Sequence, residues 1–269
     1  MSQKHRGYAV ITGASSGIGA EFAKRFAKEG FDLILVARRK DRLLKLCEEI
    51  HREVDKEREC LLLEADLSSL EECQKLCDFL QGKKLAIFIN NAGFGDCGRF
   101  LDGDLDKELQ MIDVNIRAVH FLTKKVLEIM QTQKGGYLLN VASSAGLMPA
   151  GPYMATYYAS KAYVASLTRA IAEEFKEQKS PIYIGCLCPG PVKTEFDAVA
   201  NVHFSLKGIS SYECANYAVD QMIRGKKVIV PTLKMKLAMV FGRFLPQSLY
   251  IRIAAHQQRK KMEANRDSE

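Results

Sequence analysis

Short, almost unbroken apolar runs alternate along this chain with segments of helical period. That alternation narrows the fold more than any single motif. The runs lie at 8–12, 32–37, 60–65, 85–90, 137–141, 181–187 and 227–230. A run without polar alternation has both faces buried, as in a parallel sheet covered by helices on either side. The intervening segments read as helices from Ser16 to Gly30, from the second run to about Lys56, and from Leu70 to Leu80. A long helix through Asn115 and Met130 and another from Thr156 to Gln178 complete the pattern.

Right-handed crossovers bring the C-terminal ends of all parallel strands to one edge of the sheet. Gly13, Arg38, Asp66, Asn91, Ser143 and Pro189 fall just past those ends, where open α/β sheets bind ligands. The expected fold is therefore α/β, a Rossmann-like doubly wound parallel sheet of about seven strands with helices on both faces. Residues 1–232 are expected to form the nucleotide-binding unit with its active site, and 233–269 a basic C-terminal helical extension. No repeat, low-complexity run or linker divides the chain.

The first run ends in Thr12-Gly13-Ala14-Ser15-Ser16-Gly17-Ile18-Gly19. A glycine loop between strand and helix lets backbone N–H groups approach a pyrophosphate at the helix N-terminus. The loop lacks the Gly-Lys-Ser/Thr of a nucleoside-triphosphate site, which argues against ATP or GTP. After the second run an acid would bind a free ribose 2′-hydroxyl, whereas an arginine accommodates a 2′-phosphate. Here the chain reads Arg38-Arg39-Lys40, with no acid before Asp41. NADP(H) is favoured over NAD(H), with Arg38 the leading residue and Arg39 and Lys40 readable as solvated starts to the next helix.

Tyr157 and Lys161 stand one helical turn apart, so their side chains share a face. A nearby ammonium stabilises a phenolate and draws its pKa down from about 10. The pair reads as a proton donor with its tuning group.

Composition adds boundaries. The net charge of +7 is concentrated late: no Asp or Glu occurs from Gln221 to Met262, while ten Lys and Arg residues do. Such a block attracts anions, yet it carries no recognition motif or aromatic platform for nucleic acid. None of the eight cysteines has CxxC spacing, the histidines are scattered, and no signal peptide is evident. No metal site is expected, and the thiols suit a reducing, cytoplasmic compartment.

The chain resembles the short-chain dehydrogenase/reductase family in its TGxxxGxG and YxxxK motifs. Thr12 to Gly19 matches the family's cofactor loop, Asn90-Asn91-Ala92-Gly93 its strand-four motif, and Tyr157-x-x-x-Lys161 its active site. Pro189-Gly190-Pro191-Val192-Lys193-Thr194 matches its segment beside the nicotinamide. The resemblance covers about residues 7 to 232. It implies hydride transfer between nicotinamide and a carbonyl or alcohol carbon, without metal. In that scheme Tyr157 handles the proton, and Lys161 tunes it and holds the ribose. A serine steadies the substrate oxygen, and Asn115 holds a water. The cofactor contacts implied are Gly13, Ser15, Ser16, Gly17, Ile18, Gly19, Arg38, Arg39, Asp66, Leu67 packing on the adenine, Asn91, Ala92, Gly93, Tyr157, Lys161, Pro189, Gly190, Val192 and Thr194. Family members that bind cofactor without turnover supply the rival reading, a regulatory protein of the same fold.

Two serines compete. Counting from Asn140 and Gly146 selects Ser143; counting thirteen residues back from Tyr157 selects Ser144. Ser143 is preferred, since a surface loop absorbs an extra residue easily. Phe94, Leu147, Met148, Tyr153, Phe196 and Phe204 predict an apolar substrate surface, suited to a small-molecule ketone or alcohol. The tail pattern of Leu237, Val240, Phe241, Phe244 and Leu245 beside Lys236 and Arg243 is amphipathic. Packing or a homodimer or homotetramer contact ranks first for it, and contact with a membrane surface second.

Overall fold

The computed structural model describes residues 6–54, 56–196, 200, 208–242 and 244–266, with side chains to 259. Its strands are β1 (Tyr8–Thr12), β2 (Asp32–Ala37), β3 (Cys60–Glu64), β4 (Leu85–Asn90), β5 (Gly136–Val141), β6 (Ile182–Leu187), β7 (Val192–Lys193), β8 (Ile209–Ser210) and β9 (Val228–Ile229). Seven of them form one parallel sheet in the order β3-β2-β1-β4-β5-β6-β9, and β7 pairs with β8 apart from it. Helices α1 (Gly17–Lys28), α2 (Lys40–Glu53), α3 (Leu70–Leu80), α4 (Leu105–Ile112), α5 (Val119–Gln133), α6 (Ala155–Glu177) and α7 (Ser211–Ile223) fill the connections.

The continuous apolar runs are explained by two cores, one on each face. Successive strand residues point to opposite sides. Ala9, Ile11, Leu33 and Leu35 pack with Phe22, Leu43 and Ala218 from α1, α2 and α7. Their neighbours Val10, Ile34 and Val36 pack with Leu76, Leu122 and Phe175 from α3, α5 and α6. β2 is accordingly buried at every position.

The strand order reverses at β1, which pairs with β2 on one side and with β4 on the other. Such a switch point opens a crevice above the strand ends. Two further features shape that edge. Residues Asp113–Ala118, between α4 and α5, form a π-helical segment. Beyond β9, α8 (Leu233–Gly242) and α9 (Gln247–Arg266) make the tail. The tail docks through Ala254 and Gln258, both buried, whereas Leu233, Phe241 and Phe244 stay exposed.

Candidate active site

The glycine loop is fixed by backbone geometry that a side chain would spoil. Gly13 has φ +64°, and a Cβ there would meet Ala92 Cα at 2.9 Å. Gly17 has φ +57°, and a Cβ there would meet Thr194 Cγ2 at 3.0 Å. Left-handed backbone favours glycine, and the tight approach brings Ala92 and Thr194 onto the loop. Asn91 locks the other side: its amide donates to Thr12 O at 2.9 Å and Gly13 O at 3.2 Å. Ile18 packs down on the core.

The start of α1 carries no capping side chain. Ser69 caps α3, Asp104 caps α4 and Ser210 caps α7 through their side chains. Ser16, ahead of α1, makes no such bond, and the first turn of α1 holds no acid. Free N–H groups and the positive end of the helix dipole therefore face the crevice, the arrangement that suits a pyrophosphate. Arg39 adds a cation above it, donating to Ser15 Oγ and Ser16 Oγ, each at 3.1 Å. Arg39 turns over the loop instead of solvating α2, while Arg38 is exposed and carries no described contact. Glu195 pairs with Arg39 at 3.0 Å and also with Arg42, which spans the mouth of the crevice.

Asp66 accepts from Ser68 N and Ser68 Oγ, a turn that stops β3 from continuing. Leu67 corrects the expectation that its side chain lies against the adenine: it is buried in the core with Ala65 and Cys73. Pro189 O accepts from Ser144 N. Gly190 lies under the tail, where a Cβ would meet Met235 Cγ at 2.9 Å. Val192 is buried beside it in β7.

Ser143, Tyr157 and Lys161 converge at the ends of β5 and α6. The Ser143 hydroxyl draws the Tyr157 phenol down, but burial is the larger influence and pushes it up to about 12. Lys161 is 4% exposed; its ammonium donates to Val141 O at 3.1 Å and lies 5.9 Å from the Tyr157 ring centre. Burial draws Lys161 down to about 8. Burial is the largest influence on both groups, raising the phenol and lowering the ammonium. Ser144 is buried with Ala145 at the start of the following turn.

Asn115 lies in the π-helical segment. Its amide nitrogen donates to Phe94 O at 2.8 Å and Ser160 Oγ at 3.1 Å, and its oxygen accepts from Phe94 N at 3.1 Å. It ties the loop after β4 to α6. Gly93 sits between the two parts, since a Cβ there would meet Asn115 Oδ1 at 2.8 Å and Lys161 Nζ at 3.1 Å.

The apolar wall beside Tyr157 is built differently from the expectation. Phe196 lies 5.4 Å from the Tyr157 ring, and Met148 joins the same cluster. Leu147 instead packs toward Val119 and Val164. Tyr153 holds a left-handed φ of +68°, Phe94 is half-buried, and Phe204 and Arg243 lie outside the described residues. Sequence reasoning missed Cys97, Met154 and Ala200, which complete the cluster. It also missed Gln258, whose amide donates to Tyr158 OH at 2.7 Å across one hundred residues. The only signal for the latter was the one-turn spacing of Ala254 and Gln258.

A cavity of about 1100 Å³ opens at the other edge of the sheet, between Arg6, Lys84, Gly136 and Met222. It contains none of the motif residues. No helix among the described residues is long and apolar enough to cross a membrane.

The sequence pattern of the short chain dehydrogenase family matches residues 7–203. The very-long-chain 3-oxoacyl-CoA reductase of Neurospora crassa is 33% identical over 180 residues, which are 66% of this chain and 54% of that protein. Human 17-beta-hydroxysteroid dehydrogenase type 3 is 30% identical over 215 residues, 78% of this chain and 67% of that protein. The chain thus spans between half and two thirds of the length of these relatives. Among solved structures, a short-chain dehydrogenase from Sphingobium yanoikuyae in complex with NADPH superposes with a TM-score of 0.79. It is 29% identical and covers 88% of this chain and 93% of its own. Its motifs, its strand order and these relatives together make this chain a member of the short-chain dehydrogenase family, with the Rossmann-like fold and nicotinamide-cofactor edge of that family.

Proposed function

We propose that the protein is an NADP(H)-dependent oxidoreductase that moves hydride between the nicotinamide and a ketone or secondary alcohol on an apolar small molecule. The observation that carries this reading is the convergence of Tyr157 with a buried Ser143 and a buried Lys161, whose ammonium lies 5.9 Å from the Tyr157 ring, at the sheet edge that holds the glycine loop. When bound, the nicotinamide supplies or accepts the hydride. Everything else falls to the chain's own groups. Tyr157 holds the proton that the carbonyl oxygen receives, and its raised pKa keeps it protonated until that oxygen arrives. Ser143 orients the oxygen, Lys161 grips the ribose and supplies positive charge, and Asn115 keeps the loop after β4 in register with α6.

Arg39 is the group we assign to a ribose 2′-phosphate, because it already overlies Ser15 and Ser16. The NADPH complex of the Sphingobium relative supports that choice. A bulky, apolar carbonyl fits both the Phe196, Met148 and Met154 wall and the oxoacyl and hydroxysteroid names of the relatives. Residues 1–232 are the catalytic unit in this reading and 233–269 an extension that closes one wall through Gln258. The exposed Leu233, Phe241 and Phe244 suit a contact between copies, with a membrane surface as the second choice. Eight free cysteines suit a reducing cytoplasm.

The test is a panel of long-chain and steroid-sized ketones and alcohols assayed with NADPH and with NADH. NADPH is expected to be preferred, and Arg39→Ala is expected to erode that preference by roughly tenfold or more, the loss of one charge-assisted contact. An NADH preference in the wild type, or an unchanged ratio in the variant, overturns the cofactor assignment.

A further inference from the structure

Away from the crevice, the fold gathers three residues that no motif connects. Cys47 and His51 lie one turn apart on α2, and Cys60 opens β3. The parallel register sets Cys60 beside Leu33, at the strand starts, which is the edge opposite Tyr157. One sulfur or nitrogen atom from each of the three falls within 4.8 Å of the others. Cys47 Sγ is 3.8 Å from His51 Nδ1. Two ligands on a tetrahedral zinc, at about 2.3 Å for sulfur and about 2.0 Å for nitrogen, stand roughly 3.6 Å apart. Little movement separates the observed spacing from a coordinating one.

The histidine is anchored by one ring nitrogen. His51 Nε2 is 2.8 Å from Arg58 O. A carbonyl oxygen can only accept, so the neutral ring carries its proton on Nε2 and leaves Nδ1 as the ligand atom. Cys47 Sγ now stands almost equally far from both nitrogens, 3.8 and 3.9 Å, so the ring tilts to bring Nδ1 onto a shared ion. A second ring nitrogen anchored on a backbone carbonyl is what metal-ligating histidines show. All three residues are half-buried, which leaves room for an ion to enter and a water to take a fourth position. Two thiols and an imidazole favour zinc over magnesium or calcium, which prefer oxygen ligands.

We propose that Cys47, His51 and Cys60 form a zinc site, completed by water, that staples the end of α2 to the start of β3. The site is independent of the hydride-transfer reading and lies apart from Ser143, Tyr157 and Lys161. It ties the last turns of α2 to the first residue of β3, so its effect is on the hold of α2 against the sheet.

The test uses the full chain, reduced and freed of metal, titrated with Zn²⁺ against a chromogenic chelator and with Co²⁺ as a spectroscopic probe. One equivalent of Zn²⁺ is expected, with tetrahedral Co²⁺ bands, thiolate charge-transfer absorption and a higher melting temperature. Cys60→Ser and His51→Ala are each expected to weaken uptake by more than about tenfold, since losing even an outer partner costs that much. Cys73→Ser, at a buried thiol on α3, should leave it unchanged. Melting curves of the metal-free variants show whether each is folded, and Cys60→Ala replaces any that is not. Absent uptake by the reduced wild type overturns the site. So does uptake indifferent to both ligand substitutions, or a Cys47–Cys60 disulfide whose reduction brings no metal binding.

Discussion

The two edges of the sheet handle polar groups in opposite ways. At the strand starts, apart from the cluster of Cys47, His51 and Cys60, charged and polar side chains are consumed by the protein. Arg58 donates to Gly30 O at 2.7 Å and lies 3.8 Å from Asp32, which accepts from Glu59 N. Tyr8 donates to Glu59, and that bond above all pushes its phenol up to about 12. Gln133 bonds both Lys83 O and Leu85 N. At the strand ends, by contrast, capacity is left over. Ser16 leaves α1 uncapped, and the Lys161 ammonium, with three protons to give, shows one bond. Two tyrosines with similarly raised pKa values therefore differ in kind. Tyr8 is held by a carboxylate that wants its proton, and Tyr157 by a desolvated pocket whose polar partner is a neutral serine. Spare hydrogen-bonding capacity in a buried setting costs stability, and it persists where a ligand supplies the missing partners.

The sharpest way to break this comparison is Tyr157→Phe. Loss of a positioned proton donor is expected to lower turnover by about 10²–10⁴-fold with little change in cofactor affinity. Unimpaired steady-state turnover would remove Tyr157 from the chemistry.

Next in size is Lys161→Met. The folded lysine titrates at about 8 against its ordinary 10.5, so between those values the unfolded chain holds the extra proton. Stability of the wild type then rises with pH across that window, by an amount of order 3 kcal/mol relative to the variant. Denaturant melts of both proteins without cofactor, from pH 7.5 to 10, check this. Parallel pH profiles would mean that the ammonium is not desolvated as described.

The same alternation that located these residues shows how far the sequence reaches. Leu70–Leu80 forms the predicted helix, and the seven predicted runs are the seven strands of the main sheet. Strand ends are legible because a continuous apolar run must stop where burial stops. Side-chain direction at those ends is not. Whether Arg38 or Arg39 turns over the glycine loop depends on how β2 leaves the sheet, and Leu67 and Leu147 face the core through local turns without a period. Gln258 meets Tyr158, and Cys60 meets Cys47, through tertiary packing alone. Helical spacing flags one half of each pair and is silent on the other.

Two smaller effects sharpen the contrast between edges. Arg58→Met removes a buried guanidinium from the satisfied edge. It should destabilise by about 1–3 kcal/mol, the cost of orphaned partners, while kcat and KM stay at wild-type values. A change in KM would show that the edges communicate. Tyr158, next to the reactive tyrosine, is already paired with Gln258. Exchanging both, as Tyr158→Phe with Gln258→Leu, removes donor, acceptor and the unpartnered Gln258 Oε1 together. Stability should move by less than about 1 kcal/mol. A turnover loss above about tenfold would instead tie the tail to the chemistry.

The π-helical stretch at Asp113–Ala118 gives the chain an unusual sensitivity to length. A bulge of this kind takes in one residue beyond the regular helical count, so α4 and α5 are phased by an insertion that no substitution can undo. Removing a single residue there would let an ordinary helix run straight through. The rotation of about 100° per residue would then fall on one flank or the other. Either Asn115 swings away from Phe94 and Ser160, or α5 turns Leu122 and Val126 out of the core. The segment thus works as a ratchet on chain length: the phase of the two helices depends on the number of residues between Asp104 and Gln133.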